Sequence, residues 1–145
     1  MKWLKDKSRI AGTMSASDWL TLTEAWGTLL VFYFAIRLTS FERLNQSRRK
    51  KLISFIPNQL TYAQHTQRLI RLAARLHLLS MSCLPRALTL RWMLVRRGIP
   101  AQVQIGATKD SQGFHAHAWL EVNGQQVGEP EDVTERFQRF DLTDR

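Results

Sequence analysis

The residue pattern of this chain changes from helical spacing to strict alternation near Gly98, and this change constrains the fold more than any other feature. Before it, 19–38 is a mostly apolar segment, and 62–79 and 83–97 carry apolar residues at helical spacing. Two segments after it alternate apolar and polar residues: 101–108 and 114–122. The sequence therefore predicts an α+β fold in which a helical front is followed by a small antiparallel sheet.

Turn signals divide the alternating region into three predicted strands. A turn at 109–113 separates the first two, and Asn123-Gly124 is a strong hairpin signal into a third strand over 125–129. Pro130 ends that strand. The segment 131–145, which is rich in acidic residues, is then expected to form a loop or a short helix.

Length and composition fit one globular unit. We expect residues 1–145 to form a single domain, with a helical front over 1–81 and a core over 82–145. Hydrophobic residues make up 44% of the chain, which excludes the apolar-poor composition of a disordered protein. A single cysteine excludes a disulfide framework and a thiolate zinc cluster, so Cys83 is expected to be a free thiol.

The net charge of +9 is unevenly distributed along the chain. Residues 43–109 carry thirteen Lys and Arg and no Asp or Glu, whereas residues 110–145 carry three basic and eight acidic side chains. The basic stretch is either a solvated face or a contact surface for an anionic peptide or protein, a membrane or a nucleic acid. Because no zinc-finger, aromatic RNA-binding or cold-shock pattern accompanies it, we do not expect nucleic acid to be the partner.

The apolar segment Trp19–Leu38, with Ser17 or Asp18 as its expected N-cap, raises the question of a membrane. Its uncharged run, 25–36, has only twelve residues, whereas about 20 are needed to span a bilayer. Residues 1–18 lack the apolar run of a signal peptide. We therefore expect a buried helix in a cytoplasmic protein, with peripheral membrane contact as the alternative.

Cys83 is the strongest candidate for a reactive side chain. It lies at the predicted start of a helix, where free backbone N–H groups and the positive end of the helix dipole favour a thiolate. Arg86 and the absence of nearby carboxylates act in the same direction. A nucleophilic cysteine also needs a base, and the histidines of 114–122 could supply it. In isolation, a lone cysteine is more simply a small buried side chain.

Several stretches resemble the transglutaminase-like branch of the papain-type cysteine peptidases, and within it the leader peptidases of lasso-peptide biosynthesis, the B proteins. They are Cys83–Leu88, Leu94–Ala101 leading into Val103–Gly106, and His117–Val122 followed by Gly124. The resemblance covers about residues 83–140, including the closing Glu135–Phe137, and is looser over the helical front. It implies a transglutaminase-like core in which the cysteine helix packs on a small antiparallel sheet.

The resemblance also implies roles for individual residues. Cys83 corresponds to the nucleophile, His117 to the general base and acid, and Glu129 to the carboxylate, usually Asp, that orients the imidazole. His115 shares a strand face with His117, but the His-Ala-Trp context selects His117, so His115 is expected beside the substrate or in solvent. A His-X-His pair also suggests zinc; because no further histidine lies nearby, we expect neither a metal nor a cofactor.

Strand parity links the role of Glu129 to the geometry of the hairpin. With a two-residue turn at Asn123-Gly124, Glu129 would point to the face opposite His117. With a three-residue loop and Gly124 in a bulge, Glu129 lies directly across from His117. The triad therefore predicts a bulged hairpin, whereas a plain turn without another irregularity would favour Glu131, Asp132 or no third member.

The function implied by the resemblance is removal of the leader peptide from a ribosomally made lasso-peptide precursor, which frees the core amine for an ATP-dependent macrolactam cyclase. Residues 1–82 lack the short strands of a fused leader-recognition domain. The expected partners are therefore the precursor, a separate leader-recognition protein and the cyclase, with 43–109 as a docking surface. Acyl transfer to an amine by the same site, and a non-catalytic binding or membrane-peripheral protein, remain as alternatives.

Overall fold

Three long helices precede a small antiparallel sheet in the structure, a computed structural model that describes residues 14–45, 56–129 and 133–139. The helices are α1 (Ala16–Leu38), α2 (Phe41–Asn45), α3 (Gln59–Leu76), α4 (Cys83–Arg96) and α5 (Val133–Arg136). The strands are β1 (Ala101–Asp110), β2 (Gly113–Val122), β3 (Gln125–Gln126) and β4 (Gln138–Arg139). The predicted α+β architecture is confirmed.

Ser15 sets the start of α1. Its Oγ accepts a hydrogen bond from the Asp18 N–H (3.2 Å), and Asp18 Oδ2 accepts one from the Ser15 N–H (3.0 Å). This reciprocal pair is a capping box. The expectation of an N-cap at Ser17 or Asp18 was wrong, because Asp18 is the third residue inside the helix rather than its cap.

α1 is less buried than its apolar sequence predicts. Its buried residues are Leu22, Ala25, Thr28 and Leu29. Its exposed large apolar residues are Trp19, Leu20, Trp26, Val31, Phe34 and Leu38. The prediction of a buried helix is therefore wrong for most of its surface. By length and composition α1 could cross a membrane, a property that it shares with signal sequences and with core helices.

One hydrophobic core joins the helical front to the sheet. It includes Leu29 of α1, Ile70 of α3 and Leu120 of β2, each at most 2% exposed. A charged contact adds to this packing, because Glu24 Oε2 accepts a hydrogen bond from Arg97 Nη2 (2.6 Å) just after α4. That hydrogen bond raises the pKa of the Arg97 guanidinium. The helical front thus holds the cysteine helix from one side while the sheet holds it from the other.

The sheet has the strand order β3-β2-β1-β4, with every neighbouring pair antiparallel. β1 and β2 pair from Ala101 opposite Val122 to Asp110 opposite Gly113. β3 ends at Gln126 rather than at the predicted residue 129.

β4 was not predicted, and Gly106 explains how it fits. It pairs with β1 at Gly106 and Ala107. A Cβ at Gly106 would lie 2.9 Å from Phe137 Cβ, closer than such atoms approach, so the glycine lets the segment after α5 close over β1. β4 thus extends the sheet beside β1, and Arg139 Nη2 donates a hydrogen bond to Glu121 Oε1 of β2.

Candidate active site

Cys83 is the first residue of α4 and is partly exposed. The N-cap residue Ser82 makes no side-chain hydrogen bond to the helix, so its hydroxyl does not cap the first N–H groups. Arg86, one turn later, donates a hydrogen bond from Nε to the Ser82 carbonyl (3.1 Å). The thiol therefore lies among uncapped backbone donors, with a guanidinium held at the same end of the helix.

Cys83 and His117 line a single cavity of about 230 Å³. The consecutive residues from His117 to Leu120 all border it. β3 pairs only with Glu121 and Val122 at the end of β2, so the preceding part of β2 has no strand on this side within the described chain. The cavity thus lies where the start of α4 meets the open edge of β2.

Glu129 lines the same cavity and contacts His117. Its Oε2 lies 3.1 Å from His117 Nε2, and the two side chains are 14% and 23% exposed. Because this contact occupies Nε2, Nδ1 is the ring nitrogen left for another partner. The structure therefore brings all three residues singled out from the sequence into one partly buried site.

The route by which Glu129 reaches His117 differs from the predicted one. Val122 pairs with Gln125 across a plain two-residue turn, so the prediction of a bulge at Gly124 was wrong. Asn123 and Gly124 both have positive φ (51° and 75°), as a type I′ turn requires. An Asn-Gly pair adopts this turn without strain, so nothing local favours the longer loop.

The turn is regular, and the departure from strand geometry occurs instead at Gly128. The Val127 N–H still donates to the Leu120 carbonyl (2.9 Å), and a regular continuation would set Glu129 beside Ala118. Gly128 instead has φ +66°, which takes the chain out of the strand conformation. Glu129 is thereby brought to His117, while Glu131 and Asp132, the other acids considered, lie outside the described residues.

α3 secures the bend at Gly128. Arg71 Nη2 donates a hydrogen bond to the Gly128 carbonyl (2.5 Å) and lies 3.9 Å from Glu129 Oε1. Gln67 packs so close that its Oε1 would lie 1.5 Å from a Cβ on Gly128. In the sequence, Arg71 is one of the thirteen basic residues of 43–109, and nothing there signals the backbone carbonyl that it binds.

Aromatic rings hold the other side of the His117 imidazole. The ring centroid of Phe137 lies 5.3 Å from that of His117, and the centroid of Trp119 lies 6.3 Å from it at an interplanar angle of 21°. Trp119 is 1% exposed, and its Nε1 donates to Glu121 Oε1 (3.1 Å). The imidazole is therefore confined between a carboxylate and two aromatic side chains, and the contribution of Phe137 was not predicted.

Comparison with known proteins supplies a family for this site. The model of the transglutaminase-like superfamily matches residues 28–140. The chain belongs to the transglutaminase-like superfamily. A search of curated proteins and a search of solved structures each found no match. The superfamily includes cysteine peptidases and acyltransferases, and the matched region contains Cys83, His117 and Glu129.

The second histidine of β2, His115, does not line this cavity. His115 is about half exposed, and its Nε2 is 3.4 Å from Asp110 Oδ1. The pKa of Asp110 is lowered, mainly by the hydrogen bond that its Oδ1 accepts from the Gln112 N–H (2.8 Å) and to a smaller extent by His115. Within residues 14–45, 56–129 and 133–139, no three His, Cys, Asp or Glu side chains are grouped so as to hold a metal ion.

Proposed function

We propose that this protein is a cysteine peptidase that removes the leader from a ribosomally made lasso-peptide precursor. The observation that carries the proposal is the cavity shared by Cys83, His117 and Glu129, with Glu129 on His117 Nε2 at 3.1 Å. The resemblance of 83–140 to the B proteins supplies the substrate class. The superfamily match supports thiol chemistry and is compatible with either hydrolysis or transfer.

The proposed reaction is acyl transfer through a thioester. Cys83 Sγ attacks the scissile carbonyl while His117 Nδ1 takes the thiol proton, and Glu129 stabilises the imidazolium. The uncapped N–H groups at the start of α4, that of Cys83 first among them, would bind the oxyanion. The imidazolium then protonates the departing core amine. Water, deprotonated by His117, hydrolyses the thioester and releases the leader carboxylate.

Partners follow from the same proposal. A separate leader-recognition protein would deliver the precursor, and the ATP-dependent cyclase would take the freed core. The acid-free stretch 43–109 is the proposed docking surface; in its described part Arg68, Arg71 and Arg75 lie along α3. The basic cluster 48–51, also part of this stretch, lies outside the described residues.

The test is cleavage of the precursor encoded beside this gene, with and without its recognition protein, followed by mass spectrometry. We expect Cys83→Ala to abolish cleavage and His117→Ala to slow it by about 10²- to 10⁴-fold, the usual contribution of a general base. The matched control is His115→Ala on the same strand, which should cleave normally. Loss of activity in His115→Ala but not in His117→Ala would contradict the assignment.

Two measurements separate this proposal from its alternatives. Product masses distinguish hydrolysis, which adds one water to the leader, from transfer to an amine, which adds the amine instead. Iodoacetamide should modify native Cys83, the only thiol, much faster than it modifies a buried thiol.

The exposed apolar side chains of α1 favour the non-catalytic alternative, a binding or membrane-peripheral protein. That alternative gains support if Cys83 stays unmodified while the chain sediments with anionic vesicles, and if Cys83→Ala leaves the sedimentation unchanged.

A further inference from the structure

A second cavity, of about 450 Å³, adjoins the thiol cavity. Arg71 and Arg86 line both cavities, so they form the boundary between the two. The remaining lining comes from the end of α3 and the segment leading to α4, and no acidic residue takes part. A peptide bound across Cys83 would therefore have a basic recess within a few residues of its scissile bond.

The donors around this recess are incompletely used by the protein itself. Arg75 makes no hydrogen bond or ion pair within the part of the chain that the structure describes. Among the described residues, Arg86 binds the neutral Ser82 carbonyl alone, and through Nε. Arg71 Nη2 lies 3.9 Å from Glu129 Oε1. The three guanidinium groups of Arg71, Arg75 and Arg86 are thus matched, within the described residues, by the single carboxylate of Glu129, which also contacts His117.

His77 adds a further donor to the lining. Its Nδ1 accepts a hydrogen bond from the Leu79 N–H (3.4 Å), which leaves the ring proton on Nε2. Nε2 is buried and has no hydrogen-bond partner among the described residues. A buried N–H without a partner is costly, so His77, which also lines the recess, is an unsatisfied donor in its wall.

We propose that this recess is a subsite for a carboxylate side chain of the substrate peptide, within about three residues of the bond that Cys83 attacks. A carboxylate accepts several hydrogen bonds at once and matches the planar guanidinium group. The proposal rests on the proposed function, because it takes a peptide at Cys83 as the ligand. To the proposed peptidase it adds a preference for a substrate with an acidic residue, whose carboxylate Arg75 and Arg86 would bind.

The test uses peptides that alkylate Cys83 and carry one variable side chain. Chloroacetyl-Gly-Glu-amide and chloroacetyl-Gly-Gly-Glu-amide are each compared with the Gln counterpart, and alkylation is followed by intact mass. We expect at least one Glu reagent to react about fivefold faster than its Gln partner, the upper range for a partly exposed charge pair. In Arg75→Gln that ratio should fall towards one. Taking the ratio within each variant cancels any change in thiol reactivity.

Arg68→Gln is the matched control, because Arg68 lies on the same helix and carries the same charge but lines neither cavity. It should keep the wild-type ratio. The subsite is overturned if both ratios are near one in the wild type, or if Arg68→Gln lowers the ratio as much as Arg75→Gln. Either result, with rapid modification by iodoacetamide, leaves the proposed peptidase standing. Slow modification by iodoacetamide itself contradicts the peptidase.

Discussion

Gly128 governs whether a carboxylate reaches His117. The positive φ of this residue takes the chain out of the register set by the hairpin, and Arg71 holds its carbonyl from α3. The position of Glu129 therefore depends on one backbone conformation and one long-range hydrogen bond. The conformation needs the glycine that precedes Glu129, whereas the hydrogen bond comes from a residue far away in the chain.

Gly128→Ala should lower both stability and activity. An alanine in the left-handed region costs about 1–2 kcal/mol, and its Cβ would also collide with Gln67 Oε1. We expect Glu129 to be displaced and precursor cleavage to slow. Gly124→Ala is the matched control, since its φ is also positive (+75°) but nothing lies within 4 Å of the added Cβ. Equal losses of cleavage rate in the two variants, measured on folded protein, would contradict this role of Gly128.

At the scale of elements, the start of α1 is fixed both within its own turn and against α3. Asp18 closes the capping box with Ser15, and its Oδ1 lies 2.8 Å from His65 Nε2 on α3. The hydrogen bond with His65, followed by those with Ser15, lowers the pKa of Asp18. One carboxylate thus couples the beginning of the first helix to the second long helix.

Asp18→Asn should reduce stability in a pH-dependent way. Because the folded-state pKa lies below the ordinary value of 3.8, the folded state binds fewer protons than the unfolded state around that pH. The contribution of Asp18 is therefore complete above 3.8 and is lost as the pH falls through the lower folded-state pKa. The difference in melting temperature between Asp18→Asn and the wild type should be present at about pH 6 and smaller at about pH 2.5.

Glu42→Gln serves as the control for this pH dependence, because it removes one exposed carboxylate from α2 without removing a described contact. The melting temperature of Glu42→Gln should differ little from that of the wild type at either pH. A destabilisation by Asp18→Asn that persists unchanged at the lower pH would show that the carboxylate charge is not the cause.

At the scale of the whole molecule, the helical front and the sheet share one core. The buried cluster runs through α1, α3, α4, β1 and β2 without a break. The single-domain prediction for 1–145 stays a prediction, and the shared core gives it a physical basis. A front that packs on the cysteine helix should not unfold separately from the site that it supports.

Leu29→Ala tests this coupling. Leu29 is fully buried, so the truncation should cost about 2–5 kcal/mol. Far-UV circular dichroism and tryptophan fluorescence should then report one coincident transition at a lower temperature. Leu38→Ala on the same helix is the control, since that side chain is 85% exposed and its loss should change little. Separate transitions for helix and sheet would contradict a single domain.

The amino-acid sequence predicted the elements whose signals are local. Cys83 at a helix start, the alternation in β1 and β2 and the Asn123-Gly124 turn each depend on neighbouring residues. The predicted bulge failed because it was argued from the position that Glu129 had to reach, although Asn-Gly specifies a two-residue turn by itself. β4 was missed because two residues give no periodicity, and the fit of the strand depends on Gly106 in another part of the chain.

By itself, then, the sequence determined the α+β class and the thiol at its helix start, and the family resemblance made His117, rather than His115, the candidate base. The tertiary structure decided how Glu129 reaches hydrogen-bond distance of His117 and how Arg71 holds the Gly128 carbonyl beside it. It also decided which side of α1 is left exposed. The physical reason is the range of the interactions. Helix starts, strand alternation and tight turns follow from backbone and side-chain preferences within a few residues, whereas a bend held by a distant guanidinium exists only once the chain has folded.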